Sequence, residues 1–196
     1  MAKIITIAHQ KGGVGKSTLA LNLALCFQDQ LSVALVDTDF QGSLYHIREE
    51  FPELNLIGID KLNELPGLAY DLIIVDTPPY LSNRLPELFA QSDFILVPTK
   101  AGFFDIMAIR STIALINEAG AKAGIVLNMV KPRAGITQEV AELLQMLKAP
   151  LFNSRIHDRV SIARSSMTSG ILKSGDVKAK AEFLALAEEL VDRIAL

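Results

Sequence analysis

Residues 4–8, 33–36, 72–75, 94–97 and 125–130 are short runs with few or no polar positions, and each is followed by a stretch long enough for a helix. Runs this short and this uniformly apolar suit strands buried on both faces. Their alternation with helix-length segments is the pattern of a parallel α/β sheet covered on both sides. The predicted helices span residues 15–28, 41–50, 84–91, 105–119, 137–148, 159–167 and 177–195, with a last strand near 151–156. Nothing marks a linker or a repeat, so the 196 residues are expected to form a single domain with a mostly parallel, twisted sheet.

The chemistry begins where the first run meets the first helix, at Lys11-Gly12-Gly13-Val14-Gly15-Lys16-Ser17-Thr18. Glycines in such a loop let backbone N–H groups close around phosphate oxygens. Lys16 is placed for the β- and γ-phosphates, and Ser17 offers a hydroxyl to Mg²⁺. A strand before and a helix after are the context this phosphate-binding loop requires. Lys11 is one lysine more than the loop needs. Its stem can reach phosphates held by a second subunit, where a cation would neutralise charge developing on a transferred γ-phosphoryl group; otherwise it is a solvated surface lysine.

Two further strand ends carry carboxylates. The second strand empties into Asp37-Thr38-Asp39-Phe40-Gln41-Gly42-Ser43, whose acids either hold water and metal or cap the helix that follows. Asp71-Leu72-Ile73-Ile74-Val75-Asp76-Thr77-Pro78-Pro79 reads as a Walker B strand, with Asp76 at the carboxyl end where a magnesium-bound water would sit and two prolines stopping the strand.

Taken together, the loop with its extra lysine, the Asp-x-Asp and the Asp-Thr-Pro-Pro resemble the deviant Walker A ATPases of the ParA/MinD family, closest in pattern to small plasmid-partition ParA proteins. The resemblance implies an α/β P-loop NTPase domain that uses ATP and Mg²⁺. It also implies an ATP-bound sandwich dimer in which Lys11 acts on the partner's phosphates. By the same resemblance Asp37 lies near the magnesium shell with Ser17 and Asp76, and Asp39 positions the attacking water. Phe40 stands where the family usually has proline. The adenine contacts of relatives map loosely onto Asn128 and onto Ile156, His157 and Asp158. By its own chemistry Asn128 can either read a base edge or cap a loop.

Charge narrows the partners. A net charge of −3 gives no global basic footprint, so nucleic-acid binding needs a local patch. Lys148, Arg155, Arg159, Arg164, Lys173, Lys178 and Lys180 form one candidate, in a segment whose only acids are Asp158 and Asp176. The resemblance implies binding of nonspecific double-stranded DNA as an ATP dimer through basic C-terminal residues, without identifying them; within this segment Arg155, Arg159, Arg164 and Lys173 are the expected contacts, and the alternative is a solvated basic face. The resemblance further implies a ParB-like or other adaptor protein that stimulates hydrolysis.

The tail after Phe183 is acidic on its polar side, with Leu184, Ala187, Val191 and Ile194 as a stripe for packing. It lacks the basic amphipathic character of a membrane-seeking helix. No run approaches the roughly 18 to 20 apolar residues of a membrane span. With the first strand beginning by Lys3, neither a signal peptide nor a DNA-reading domain is expected ahead of the loop, and the protein is expected to be cytoplasmic and nucleoid-associated.

Cys26 is the single cysteine, spaced for packing, and this excludes the cluster-bridging nitrogenase iron-protein branch of the family. His9, His46 and His157 lack zinc spacing, and His9 is expected to be structural. A metabolic P-loop enzyme of the dethiobiotin-synthetase type remains the alternative function. ATP turnover stimulated by DNA and a partner protein, or by a small acceptor only, separates the two.

Overall fold

The computed structural model describes residues 2–39, 44–79, 84–131 and 138–194. Seven strands form one sheet: β1 (Lys3–Ile7), β2 (Val33–Asp37), β3 (Asn55–Gly58), β4 (Leu72–Asp76), β5 (Phe94–Thr99), β6 (Ala123–Val130) and β7 (Leu151–His157). Their order is β3-β2-β4-β1-β5-β6-β7 and every pairing is parallel. The register puts Ile7 of β1 and Asp37 of β2 on either side of Asp76 in β4. Three adjacent strands therefore end at one level. At the carboxyl edge beside β1 the chain reverses its order across the sheet, which is where open α/β folds bind ligands.

The helices are α1 (Lys16–Phe27), α2 (Leu85–Gln91), α3 (Phe103–Glu118), α4 (Gln138–Gln145), α5 (Val160–Ala163) and α6 (Val177–Ile194). One sheet face, through Ile5, Ile7, Leu35, Ile74 and Leu96, packs on Leu19 and Leu23 of α1 and Phe183 and Leu190 of α6. The other, through Ile95, Val97 and Ile125, receives Ile109, Ile113 and Ile116 of α3. On that same side Ile4, Ile73 and Val75 pack on Leu62 and Leu65. Helix α1 is buried almost all round, lying between the sheet and α6.

The expected elements differ from this fold in particular places. Residues 51–70 carry an unpredicted short edge strand, β3, and a 3-10 segment at Ile59–Gly67. β3 is half-exposed and only four residues long, so its apolar signal is weak. The helix expected at 41–50 is a 3-10 turn at Tyr45–Glu50, because Asp37 captures the N–H groups that lead into it; residues 40–43 lie outside the described residues. The helix expected at 159–167 breaks into α5 and a 3-10 turn at Ser165–Met167. Buried Ser165 donates its hydroxyl to the Ile162 carbonyl and bonds the Asn22 amide, diverting the backbone. The buried stripe of α6 is Ala179, Phe183, Leu186, Ala187, Leu190 and Ile194, while Leu184 is 45% exposed. Ala187 and Ile194 of the expected stripe are buried, while Phe183 and Leu190 take the inward positions expected of Leu184 and Val191. Cys26 packs against the core as expected, and burial pushes its thiol up to about 12.

Helix α6 also ties down β7, the edge strand. The Glu189 carboxylate accepts the N–H of Asn153 (3.0 Å), the N–H and hydroxyl of Ser154 (2.9 and 2.8 Å) and the Arg193 guanidinium (2.8 Å). Burial alone would raise this carboxyl. The bonds from Arg193, Ser154 and Asn153 outweigh it and hold the group at about 2 against an ordinary 4.5. A carboxylate depressed in the folded state stabilises fully above its unfolded value and loses that contribution as pH falls toward the folded one. Glu189→Gln should therefore lower Tm by a few degrees at pH 7, on the order of 1 kcal/mol. The deficit should shrink between pH 4.5 and 2. A deficit that stays constant on acidification would refute the role given to the charge.

Candidate nucleotide site

The loop after β1 needs two left-handed residues, and both are glycine: Gly13 at φ 69° and Gly15 at φ 86°. Gly15 opens α1 without any side-chain cap, and the first turn of the helix holds no acid. Its free N–H groups and the positive end of its dipole point at the loop, which is the physical basis of phosphate binding at a helix N-terminus. Gly15 is also a close-approach position. A Cβ built there would lie 2.4 Å from the Asn128 amide nitrogen. Gly12 has room, with only Pro79 at ordinary contact.

Asn128, at the end of β6, donates to the Val14 carbonyl (2.7 Å) and accepts from the Met129 N–H (2.9 Å). The buried carboxamide therefore braces the phosphate loop. It keeps a second N–H for a ligand, since a carboxamide carries two. Of the two readings open from its side chain, the structural one is the contact seen.

Lys16 is buried to 6% exposure; burial lowers its pKa, and the carboxylates of Asp76 and then Asp39 partly hold it up. The Ser17 hydroxyl donates to Asp76 Oδ2 at 2.5 Å, while Oδ1 of Asp76 is buried with no hydrogen-bond partner. Burial pushes this carboxyl up to about 7, opposed by the Ser17 bond and assisted by the charge of Asp37. An orphaned buried carboxylate oxygen beside a hydroxyl is a hard-oxygen pair that fits Mg²⁺, which takes one or two protein oxygens and completes its shell with phosphate and water. Among the described residues no group of three or more His, Cys, Asp or Glu side chains could hold a metal by itself.

Asp37 accepts the Asp39 N–H on Oδ1 (3.0 Å) and the Leu44 and Tyr45 N–H groups on Oδ2 (3.0 and 3.3 Å). These bonds cap the backbone N–H groups of Asp39, Leu44 and Tyr45 after β2. The Asp39 charge acts weakly on both Lys16 and Asp76, raising the pKa of each.

Sequence reasoning missed two threonines. Thr38 bonds the Asp76 carbonyl with its N–H (3.1 Å) and its hydroxyl (2.7 Å), and Thr77 bonds the Ile7 carbonyl in the same double way (3.3 and 2.9 Å). These pairs join the ends of β2, β4 and β1, fixing the three chemical positions relative to one another. The signal was present as a threonine immediately after each carboxylate.

Lys11 lies on the surface, its ammonium 2.6 Å from Asp105 Oδ1 in the first turn of α3. Its N–H donates to His9 Nδ1 (2.8 Å). Burial, then Lys16 and Lys11, lower His9 to about 4, so the ring is neutral and orders the loop, as a structural histidine should.

A cavity runs from Gly15 and Thr18 past Asn128 to His157, Asp158 and Arg159, closed by Phe183. Ile156 is not part of that lining. Its side chain points into the core with α1 and α6, because neighbours on a strand alternate faces. Two of the expected DNA contacts are also engaged. Arg159 pairs with Glu182 at 2.6 Å and lines the cavity, and Lys173 pairs with Glu53 at 2.8 Å. The acids lie outside the basic segment in sequence and reach it only through the fold. Arg155 and Arg164 are exposed and have no ion-pair partner among the described residues. No helix among the described residues is long and apolar enough to cross a membrane.

Comparison with known proteins matches residues 5–170 to the CobQ/CobB/MinD/ParA nucleotide binding domain. The chain is 28% identical to maintenance of carboxysome distribution protein A of Halothiobacillus neapolitanus, over 85% of this chain and 84% of that protein. It is 27% identical to the chromosome-partitioning ATPase Soj of Thermus thermophilus, over 97% and 96%. A putative plasmid partition protein of Borrelia burgdorferi bound to AMPPNP shares the fold, with a TM-score of 0.78 at 20% identity over 98% of this chain and 100% of that one. With the sheet order, the phosphate loop and the paired strand-end aspartates in place, the chain belongs to the MinD/ParA family of nucleotide-binding proteins.

Proposed function

We propose that this protein is a Mg²⁺-dependent ATPase that dimerises on ATP, binds DNA without sequence preference in that state, and positions a cargo through an adaptor that stimulates hydrolysis. The observation that carries the reading is the meeting, at one edge of the sheet, of Lys16, the Ser17–Asp76 pair with its orphaned oxygen, and Asp39. Lys16 and the N–H groups of the loop hold the β- and γ-phosphates. Ser17 and Asp76 would hold Mg²⁺, which would supply positive charge against that of the phosphates. Asp39 orients the attacking water. Lys11, exposed at the mouth of the loop, is placed to serve a second copy's phosphates.

The base lies in the cavity walled by Thr18, His157, Asp158 and Phe183, with the spare N–H of Asn128 available to its edge. Arg155 and Arg164 are the DNA contacts favoured by exposure, with Lys173 contributing if it leaves Glu53. The cargo of the relatives differs, as carboxysomes and a chromosome appear in the names of two of them. The dethiobiotin-synthetase alternative draws no support from those relatives.

Fluorescence anisotropy with two unrelated duplexes, in ATP, ADP or no nucleotide, tests the DNA step. Binding is expected with ATP only and equally for both duplexes. The affinity should fall with salt at a log–log slope of about 0.9 per phosphate contacted, and the Arg155→Ala/Arg164→Ala double variant should reduce both affinity and slope. Equal binding in all nucleotide states, or none in any, would refute it.

A further inference from the structure

Glu182 lies on α6, outside every phosphate-binding element, yet its carboxylate is wholly occupied with one wall of the cavity. Oε2 accepts the His157 backbone N–H at 2.9 Å. Oε1 accepts the Arg159 guanidinium at 2.6 Å and faces His157 Nδ1 at 2.9 Å. The side chain is 15% exposed. All these donors fall in residues 157–159, the last residue of β7 and the two that follow it, and those same residues line the cavity together with Phe183, the chain neighbour of Glu182.

The segment's other backbone ties run from the Asp158 N–H to the Val130 carbonyl (2.9 Å) and from the Ala163 N–H to the Arg159 carbonyl (3.1 Å). Arg159 Nε is buried without a partner, so Glu182 is the contact that settles this half-buried cation. Charge-assisted bonds to a shielded carboxylate are about twice as strong as neutral ones. Removing the acceptor strands its donors.

We propose that Glu182 is a positioning residue for the nucleobase: it holds residues 157–159 as a wall of the cavity and so sets how much the base adds to the binding of the phosphate chain. This rests on the reading that the cavity takes the base of ATP. A nucleotide has two handles in this site, a triphosphate held by the loop at residues 11–18 and a base held between α6 and the end of β7. Loosening the wall weakens the second handle and spares the first.

The test compares the parent chain, Glu182→Ala and Glu182→Gln by calorimetric titration with Mg²⁺ plus either ATP or inorganic tripolyphosphate, a ligand with no base. For Glu182→Ala the ATP Kd should rise about tenfold or more, as expected for losing charge-assisted contacts, with tripolyphosphate affinity unchanged. Glu182→Gln keeps an acceptor oxygen in the same shape and should fall between the two. Equal weakening of both ligands in Glu182→Gln would mark a general structural role and overturn the proposal, as would parental ATP affinity in both variants. A parent chain that binds ATP no more tightly than tripolyphosphate would overturn the base-cavity reading itself, and the proposal with it.

Discussion

Gly15→Ala should cost at least about a hundredfold in ATP affinity while leaving a folded chain. Two effects combine. A left-handed conformation costs a non-glycine residue roughly 1–2 kcal/mol. The added Cβ would also lie 2.4 Å from the Asn128 amide, which is itself committed to the Val14 carbonyl at 2.7 Å. Neither side can yield cheaply, because Asn128 is buried to 3% exposure and braces the loop from β6. The loop must open, and with it the N–H groups that surround phosphate. Calorimetry with ATP and Mg²⁺ checks this, and near-parental affinity would show that the loop is not the phosphate cradle.

Asp39→Ala should bind ATP and turn it over at least about a hundredfold more slowly, the lower range for removing a group that handles the attacking water. Phosphate affinity should survive because Lys16, Ser17 and Asp76 are untouched; the Asp39 charge affects Lys16 less than that of Asp76 does. Single-turnover hydrolysis and a binding titration separate the two. Normal turnover, or loss of ATP binding, would contradict the division of labour between Asp39 and Asp37.

Much of this arrangement was legible in the chain because the chemistry is local. The loop at residues 11–18 is contiguous, and the apolar strands run directly into Asp37 and Asp76. What was hidden depends on residues far apart in sequence. Glu53 and Glu182 neutralise Lys173 and Arg159 only after folding, so a stretch that reads as basic over 33 residues is partly paired in space. Asn128 reads equally as a base contact or a cap until its distance to Val14 is known. That Ile156 packs in the core shows only once β7 is placed against α1 and α6. Thr38 and Thr77 escaped notice because a threonine is ordinary in a β-rich stretch, and only the register reveals that each bonds the carbonyl of the neighbouring strand's last residue.

In the proposed mechanism ATP joins two copies of this chain through Lys11. In the isolated chain that lysine rests against Asp105 at 2.6 Å, a half-exposed pair of the kind that contributes about 1 kcal/mol or less and so yields to a stronger anion. Multi-angle light scattering on the Asp39→Ala background, which removes turnover, gives the direct measurement with ATP and Mg²⁺, with ADP and Mg²⁺, and with neither. The mass of two chains is expected with ATP alone and of one chain otherwise, and the mass of one chain in every condition once Lys11→Ala is added. An unchanged mass with ATP, or equal dimerisation with and without Lys11, would contradict it.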